Sequence, residues 1–287
     1  MTLPCISAAR RFDVRAHLPF WIGGERVGWI RVADAVLLAR WPDVFEIDGA
    51  RVSLSAKFDT ATARSAALGA VIGALAAEGR IPGWRDETYA IRNAFDAPPL
   101  AWIERAASRF FGTMTYAVHL NGVVEYGGPA SGSGRAPQLW IARRSETKAT
   151  DPGMLDNVVA GGIGWGFGVE ATIVKECWEE AGIDEAIASL ATPGRTAHVL
   201  QSLPEGTQAE QIFIYDLALP EDFVPHNQDG EVGEHRLARI DEAARWIEEG
   251  AMTVDASLAT LDCLLRRRWI DEEACEGIAA IFEPPTL

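Results

Sequence analysis

Apolar and polar positions change rhythm several times along the chain, and each change predicts an element. In LPFWIGGERVGWIRV, residues 18–32, they alternate around a glycine pair, which predicts a β-hairpin. ADAVLLARW then repeats apolar residues at helical spacing, and DVFEIDGARVSL reads as strand around an Asp48-Gly49 turn. The alanine-rich run TATARSAALGAVIGALAAEGR predicts a helix opened by a threonine cap and closed by Gly79. IPGWRDETYAIRN reads as a loop entering an extended segment, and PPLAWIERAASRFFG as a further helix ending at Gly112.

The pattern then shifts towards strands. TMTYAVHLNGVVEYG predicts one strand, or a hairpin turning at Asn121-Gly122. GPASGSGRA is a small-residue loop, QLWIARRS a strand and LDNVVAGGI another. An apolar-striped helix carries KECWEEAGI, a second covers residues 183–190, and TAHVLQSL and AEQIFIYDLAL are strand-like. EHRLARI is a shorter strand, and DEAARWIEEG, DASLATLDCLLRRRW and DEEACEGIAAIF predict C-terminal helices. The expected organisation is a smaller N-terminal α+β domain over residues 1–112 and an α/β domain over 113–287 that includes those helices. The helices pack either on the core or on a second copy, so monomer and homodimer both stand.

Composition narrows the function. A formal net charge of −15 over 287 residues repels phosphate backbones and anionic membranes, so neither nucleic acid nor membrane is an expected partner. A phosphate-bearing ligand would need a cation between itself and the acids. No apolar stretch reaches the ~18 residues of a membrane helix. The opening MTLPCISAARRFDVRAHL has no long hydrophobic run, so a cytoplasmic protein is expected. Cys5, Cys177, Cys263 and Cys275 follow no zinc-ligand spacing and read as reduced thiols.

Against that background the helix KECWEEAGI is unusual. Residues at i, i+3 and i+4 share a helix face, so Glu176, Glu179 and Glu180 repel one another unless a cation joins them. A hard divalent cation, which favours carboxylate oxygens, suits such a triplet. The helix follows a strand and the loop GGIGWGFG, an arrangement that brings phosphate near backbone amides. The loop lacks the lysine of a P-loop and does not match the dinucleotide fingerprint.

Taken together, GGIGWGFGVEATIVKECWEEAGI resembles the Nudix box, G-x5-E-x7-R-E-U-x-E-E-x-G-U with U aliphatic. Gly161, Glu176, Glu179, Glu180, Gly182 and Ile183 fall on its fixed positions, with Cys177 at the first U. Phe167 stands where the box has its first glutamate, and Lys175 where it has arginine. The change at both suggests a different bracing of the loop, by Trp165 and Phe167. The wider runs GWRDETY, FGTMTYAVHLNG, RRSETKATDPGMLDNVVAGGI and DGEVGEHRL are similar to one Nudix group with an extra N-terminal domain. That group resembles the Nudix region fused to thiamine pyrophosphokinase in fungi, and stand-alone plant relatives.

The resemblance implies a Nudix α/β/α sandwich with a mixed β-sheet, and Mg²⁺-dependent hydrolysis of a small organic diphosphate, with Mn²⁺ as a substitute ion. Oxidised or otherwise damaged thiamine diphosphates are the implied substrate class; a nucleoside diphosphate, or a non-catalytic diphosphate sensor, is the alternative. It implies metal ligation by Glu176, Glu179, Glu180 and, from the DGEV step, Glu231, with Glu176 or Glu231 as general base. Strand alternation sends Arg143 and Arg144 to opposite faces; the motif favours Arg144 and Lys148 as phosphate contacts, beside Gly161 and Gly162. Trp84, Arg85 and Glu87 form a polar-aromatic loop that either touches the organic part of the ligand or braces the two domains. His119 reads as a strand residue with a satisfied hydrogen bond, and Glu234 as an exposed acid.

Overall fold

A computed structural model describes residues 3–126, 135–272 and 275–285. The GPASGSGRA loop lies largely outside the described residues. In chain order the elements are α1 (Pro4–Ala9), β1 (His17–Ile22), β2 (Glu25–Arg31), α2 (Val32–Leu38), β3 (Phe45–Ile47), β4 (Val52–Leu54), α3 (Ala61–Ala77), β5 (Thr88–Ile91), β6 (Ala101–Glu104) and α4 (Ala107–Phe111). There follow β7 (Met114–Val124), β8 (Gln138–Arg144), β9 (Leu155–Asn157), β10 (Val159–Gly162), α5 (Val169–Ala181), α6 (Glu185–Ala188), β11 (Thr192–Leu203), β12 (Gly206–Ala218), β13 (Val232–Arg239), α7 (Ile240–Glu248), α8 (Val254–Arg266) and α9 (Ile278–Ile281).

Whereas α1 at the start of the chain packs into the core of the second domain, the elements from β1 to α4 form a separate N-terminal domain. Its four-stranded sheet runs β2-β1-β4-β3, and β5 pairs with β6 apart from it. Thr60 caps α3 by accepting from the Ala63 amide at 3.2 Å, and Gly79 follows at φ 72°. Leu68, Val71, Ile72 and Leu75 recur at helical spacing and are buried against Phe20, Ile22 and Phe111. Each such side chain contributes about 2 kcal/mol of burial.

A mixed seven-stranded sheet organises the rest, in the order β11-β12-β7-β8-β13, with β10 on β7 and β9 on β8. β7 and β12 are parallel; the other pairs are antiparallel. On one face Tyr116, Val118 and Leu120 pack on Val169, Ile173 and Cys177 of α5. On the other, Val123, Leu139, Ile141, Ile212 and Ile214 pack with α8, α7 and α1. The result is a helix–sheet–helix sandwich, as the resemblance implied. Among the described residues no helix is long and apolar enough to cross a membrane. All four cysteines are free and buried.

Several segments differ from the sequence expectation. PPLAWIERAASRFFG is not one helix: residues 101–104 pair with β5 as a strand, burying Ala101 and Ile103, and only Ala107–Phe111 is helical. Of the two expectations at Asn121-Gly122, the single strand holds and the hairpin does not. β7 runs straight through this pair because Gly122 is packed around by Leu219, Val158 and Trp140, while Asn121 donates to Asp216 and to the Ala259 carbonyl. LDNVVAGGI splits at Val158 into β9, which joins β8, and β10, which joins β7. The helix expected over 183–190 shrinks to α6, capped by Asp184. Of DEEACEGIAAIF only Ile278–Ile281 is helical among the described residues, with Gly277 at φ 84° ahead of it.

Gly112 joins the two parts at φ 57°, and a Cβ there would lie 2.1 Å from the Trp29 carbonyl oxygen. Gly79 has a similar φ of 72° but open space around it. Gly79→Ala should therefore cost about 1 kcal/mol, the left-handed backbone alone. Gly112→Ala should cost about 3 kcal/mol or more, since backbone cannot move aside as a side chain can. Urea unfolding of the two variants checks the difference; equal losses would refute the close packing of Gly112.

Candidate functional site

Helix α5 stands on one face of the sheet and presents its acids at the edge of β10. Among the described residues that strand pairs only with β7, which leaves its outer edge without a strand partner. Glu180 closes part of the edge by accepting from the Ala160 amide at 2.7 Å. Glu176 lies against Gly161, where any Cβ would sit 2.4 Å from the Glu176 Cδ. Gly182 ends the helix at φ 64°, with its amide and that of Ile183 satisfying carbonyls of the last turn.

Two lysines hold the acids. Lys175, at the arginine position of the box, donates to Glu176 at 3.0 Å and Glu179 at 2.6 Å. Lys148 is buried between Glu180, 3.6 Å away, and Glu231, to which it donates directly. Among the described residues no three acidic, histidine or cysteine side chains yet converge as a metal cage. The donor set is nevertheless all carboxylate oxygen, which fits a hard divalent ion, and the Lys148 ammonium marks where positive charge is wanted. Burial pushes the Glu180 carboxyl up to about 8, although Lys148 and the Ala160 amide pull the other way. Burial also raises Glu176 above the ordinary carboxylate range. Burial opposes charge on Glu231 too, but Lys148 and Arg85 override it and hold its pKa below the usual value.

On the opposite face the sheet forms the floor of a cleft of about 470 Å³. Thr113, Thr115, Ala117 and His119, alternate residues of β7 and its approach, line it together with Gly161 and Gly162. The N-terminal domain supplies the far wall, including Arg85, Tyr89, Arg105 and Arg109. Arg144 and Asp156 line both this cleft and the small recess holding Lys148, Glu180 and Glu231. The glutamates thus adjoin the cleft through β10, Arg144 and Asp156.

The remaining candidate residues divide. Arg144 faces inward, donating to Asp156 at 2.7 Å and to the Thr150 carbonyl, while Arg143 faces out to Gly153 and Glu234. Arg85 lines the cleft and reaches Glu231 at 3.4 Å. Glu87 holds Arg105 at 2.8 Å, a bracing contact. Trp84 is exposed, bonds Asp86 and does not line the cleft. His119 Nδ1 lies 2.8 Å from Asn157 Oδ1, the satisfied partner expected. Loop bracing falls to Trp165, whose amide donates to the Thr88 carbonyl at 2.9 Å and whose ring meets Trp102 and Arg92. Phe167 is 53% exposed and shares none of this. Sequence reasoning missed Arg105, Arg109, Asp156 and Asp255, which only the packing of two domains brings together; alternation on β7 was the one available signal.

Comparison with known proteins agrees with this geometry. The NUDIX domain profile matches residues 130–257, and a domain of unknown function, DUF4743, matches residues 1–115. Nudix hydrolase 24, chloroplastic, of Arabidopsis thaliana is 38% identical over 260 residues, covering 90% of this chain and 69% of that protein. Nudix hydrolase 20, chloroplastic, from the same plant is 37% identical over 268 residues, covering 90% and 70%. The crystal structure of DR0079 from Deinococcus radiodurans superposes with a TM-score of 0.45 at 22% identity, covering 64% of this chain and all of that one. The family match and these relatives support a pyrophosphohydrolase. The chain belongs to the Nudix hydrolase family, whose members typically use a divalent metal.

Gly162 offers a direct check. A Cβ there would lie 2.0 Å from the Tyr89 hydroxyl of the N-terminal domain. Gly162→Ala should cost about 2 kcal/mol, and adding Tyr89→Phe should restore more than half, as read by denaturant unfolding. No recovery in the double variant would show that the two do not meet.

Glu180 offers another. Between the ordinary carboxylate range near 4.5 and about 8 the folded protein keeps a proton that the unfolded chain has lost, so this group lowers stability as pH rises through that window. With EDTA present, Glu180→Gln should raise the Tm by about 4 °C at pH 8 and change little at pH 4.5. A Tm difference independent of pH would contradict the burial of this carboxyl.

Proposed function

We propose that the protein is a Mg²⁺-dependent hydrolase of a small organic diphosphate, releasing a monophosphate, with damaged thiamine diphosphates as the substrate class. The observation that carries the reading is the gathering of Glu176, Glu180 and Glu231 on cationic side chains beside a cleft with inward-facing arginines. The thiamine class is supported by the resemblance of GWRDETY, DGEVGEHRL and their neighbours. Glu176, Glu179, Glu180 and Glu231 would hold the ion, which when bound offsets the negative charge of the diphosphate.

The chain's own groups do the rest. Arg144 and Arg85 would orient phosphate oxygens, a role supported by their position on the cleft wall and by planar forks that match phosphate. Gly161 and Gly162 let Glu176 on one face, and Tyr89 and Arg105 on the other, close against β10 where it borders the cleft. Glu176 or Glu231 takes the proton of the attacking water as its oxygen bonds to phosphorus and the bridging P–O bond breaks, the bridging oxygen leaving with the other phosphate. As substrate enters, Lys148 is free to exchange its carboxylate partners for phosphate.

A panel of thiamine, nucleoside and sugar diphosphates, assayed with Mg²⁺ and with EDTA, tests the proposal. Monophosphate release should require the metal and be fastest with the thiamine class. Glu179→Gln and Glu180→Gln should each lower kcat by about 100-fold or more. Undiminished turnover in either variant would remove that residue from its role, and tight binding with no product would make the cleft a sensor.

A further inference from the structure

Along the cleft away from Gly161, the wall is built by α4, the start of β12 and the first turn of α8. Three polar groups there have no hydrogen-bond partner among the described residues: the hydroxyls of Ser108 and Thr207, and Oδ1 of Asp255. All three residues line the cleft. Ser108 is 3% exposed and Thr207 1%. They form one corner. A Cβ on Gly206 would lie 2.1 Å from the Arg109 carbonyl, so α4 rests directly on β12, and Gln208 donates to Asp255 Oδ2 at 3.1 Å.

The neighbouring donors are already engaged. Gln208 Nε2 also donates to Glu210 at 2.6 Å, and Arg109 is paired with Glu205. What remains is unused hydrogen-bonding capacity: Oδ1 of Asp255, in a carboxyl that burial and Glu210 push up to about 8, and two hydroxyls able to act either way. Asp255 and Glu210 share the Gln208 amide, and their mutual repulsion is relieved by a positive or strongly polarised N–H group. Buried polar groups are seldom left without partners, and those lining a cavity are completed by what fills it.

We propose that this corner recognises the organic half of the substrate, taking a nitrogen heterocycle with an amino or cationic donor on Asp255, flanked by Ser108 and Thr207. The inference rests on the diphosphatase reading above, which places the diphosphate at Gly161. Gly162 lies opposite Ala117 and Glu210 opposite Thr115, on the two strands flanking β7, so the ends of the ligand would sit on the order of 10 Å apart.

Calorimetry with phosphate-free probes separates this inference from the hydrolytic one. Thiamine, cytidine and glucose would be titrated into the full-length protein in EDTA, and into Asp255→Asn. At least one amine-bearing probe should bind, with affinity about tenfold or more weaker in Asp255→Asn, and glucose should give no heat. Thr207→Val should weaken the same probe and serves if Asp255→Asn does not fold. Failure of both amine-bearing probes to bind, unchanged affinity in the folded variants, or binding of glucose would overturn the assignment. None of these results depends on whether the diphosphate is cleaved.

Discussion

Two adjacent residues without side chains decide how this molecule is put together. On a strand, neighbours point to opposite faces, so Gly161 opens one side of β10 and Gly162 the other. Glu176 occupies the space on the first side, and Tyr89 with Arg105 the space on the second. An acidic helix and a whole domain thus approach the same strand within van der Waals contact. Any larger residue at either position forces one of them away, and with it the continuity between the glutamates and the cleft.

That continuity resolves the electrostatic problem posed by a net charge of −15. The acids of α5 are balanced locally by Lys175 and Lys148, and the cleft beside them gathers arginines largely from the N-terminal domain. Asp151, Asp156, Glu205, Glu210 and Asp255 line the same cleft, so charges there balance locally while the chain as a whole is acidic. Burial holds the Glu180 carboxyl far above its ordinary pKa, even though Lys148 and the Ala160 amide favour its charged form.

The sequence made the acid helix legible because helical periodicity is local: spacing alone put three glutamates on one face and Gly182 at its end. Strand alternation likewise separated Arg143 from Arg144 correctly. What could not be read depends on tertiary packing. Asn121-Gly122 has turn chemistry, yet lies mid-strand because Leu219, Val158 and Trp140 leave room only for glycine. Ala101–Glu104 has helix-compatible residues, but pairing with β5 buries its alternate side chains. Asp255 gave no signal at all, since its neighbours Gln208 and Glu210 come from a strand more than forty positions earlier.

The departure at Phe167 links the two domains in function. A glutamate at that place would have been expected to support the loop from within, and the aromatic ring found there points to solvent instead. Support comes from outside: β5 accepts the Trp165 amide, while Trp102 and Arg92 hold its ring. The same β5 carries Tyr89 against Gly162, and the segment just before it carries Arg85 to Glu231. One short hairpin of the N-terminal domain therefore fixes the glycine loop, one wall of the cleft and an acid of the site at once. A loop braced in this way has no need of its internal glutamate, and the N-terminal domain forms a wall of the candidate site rather than an appendage to it.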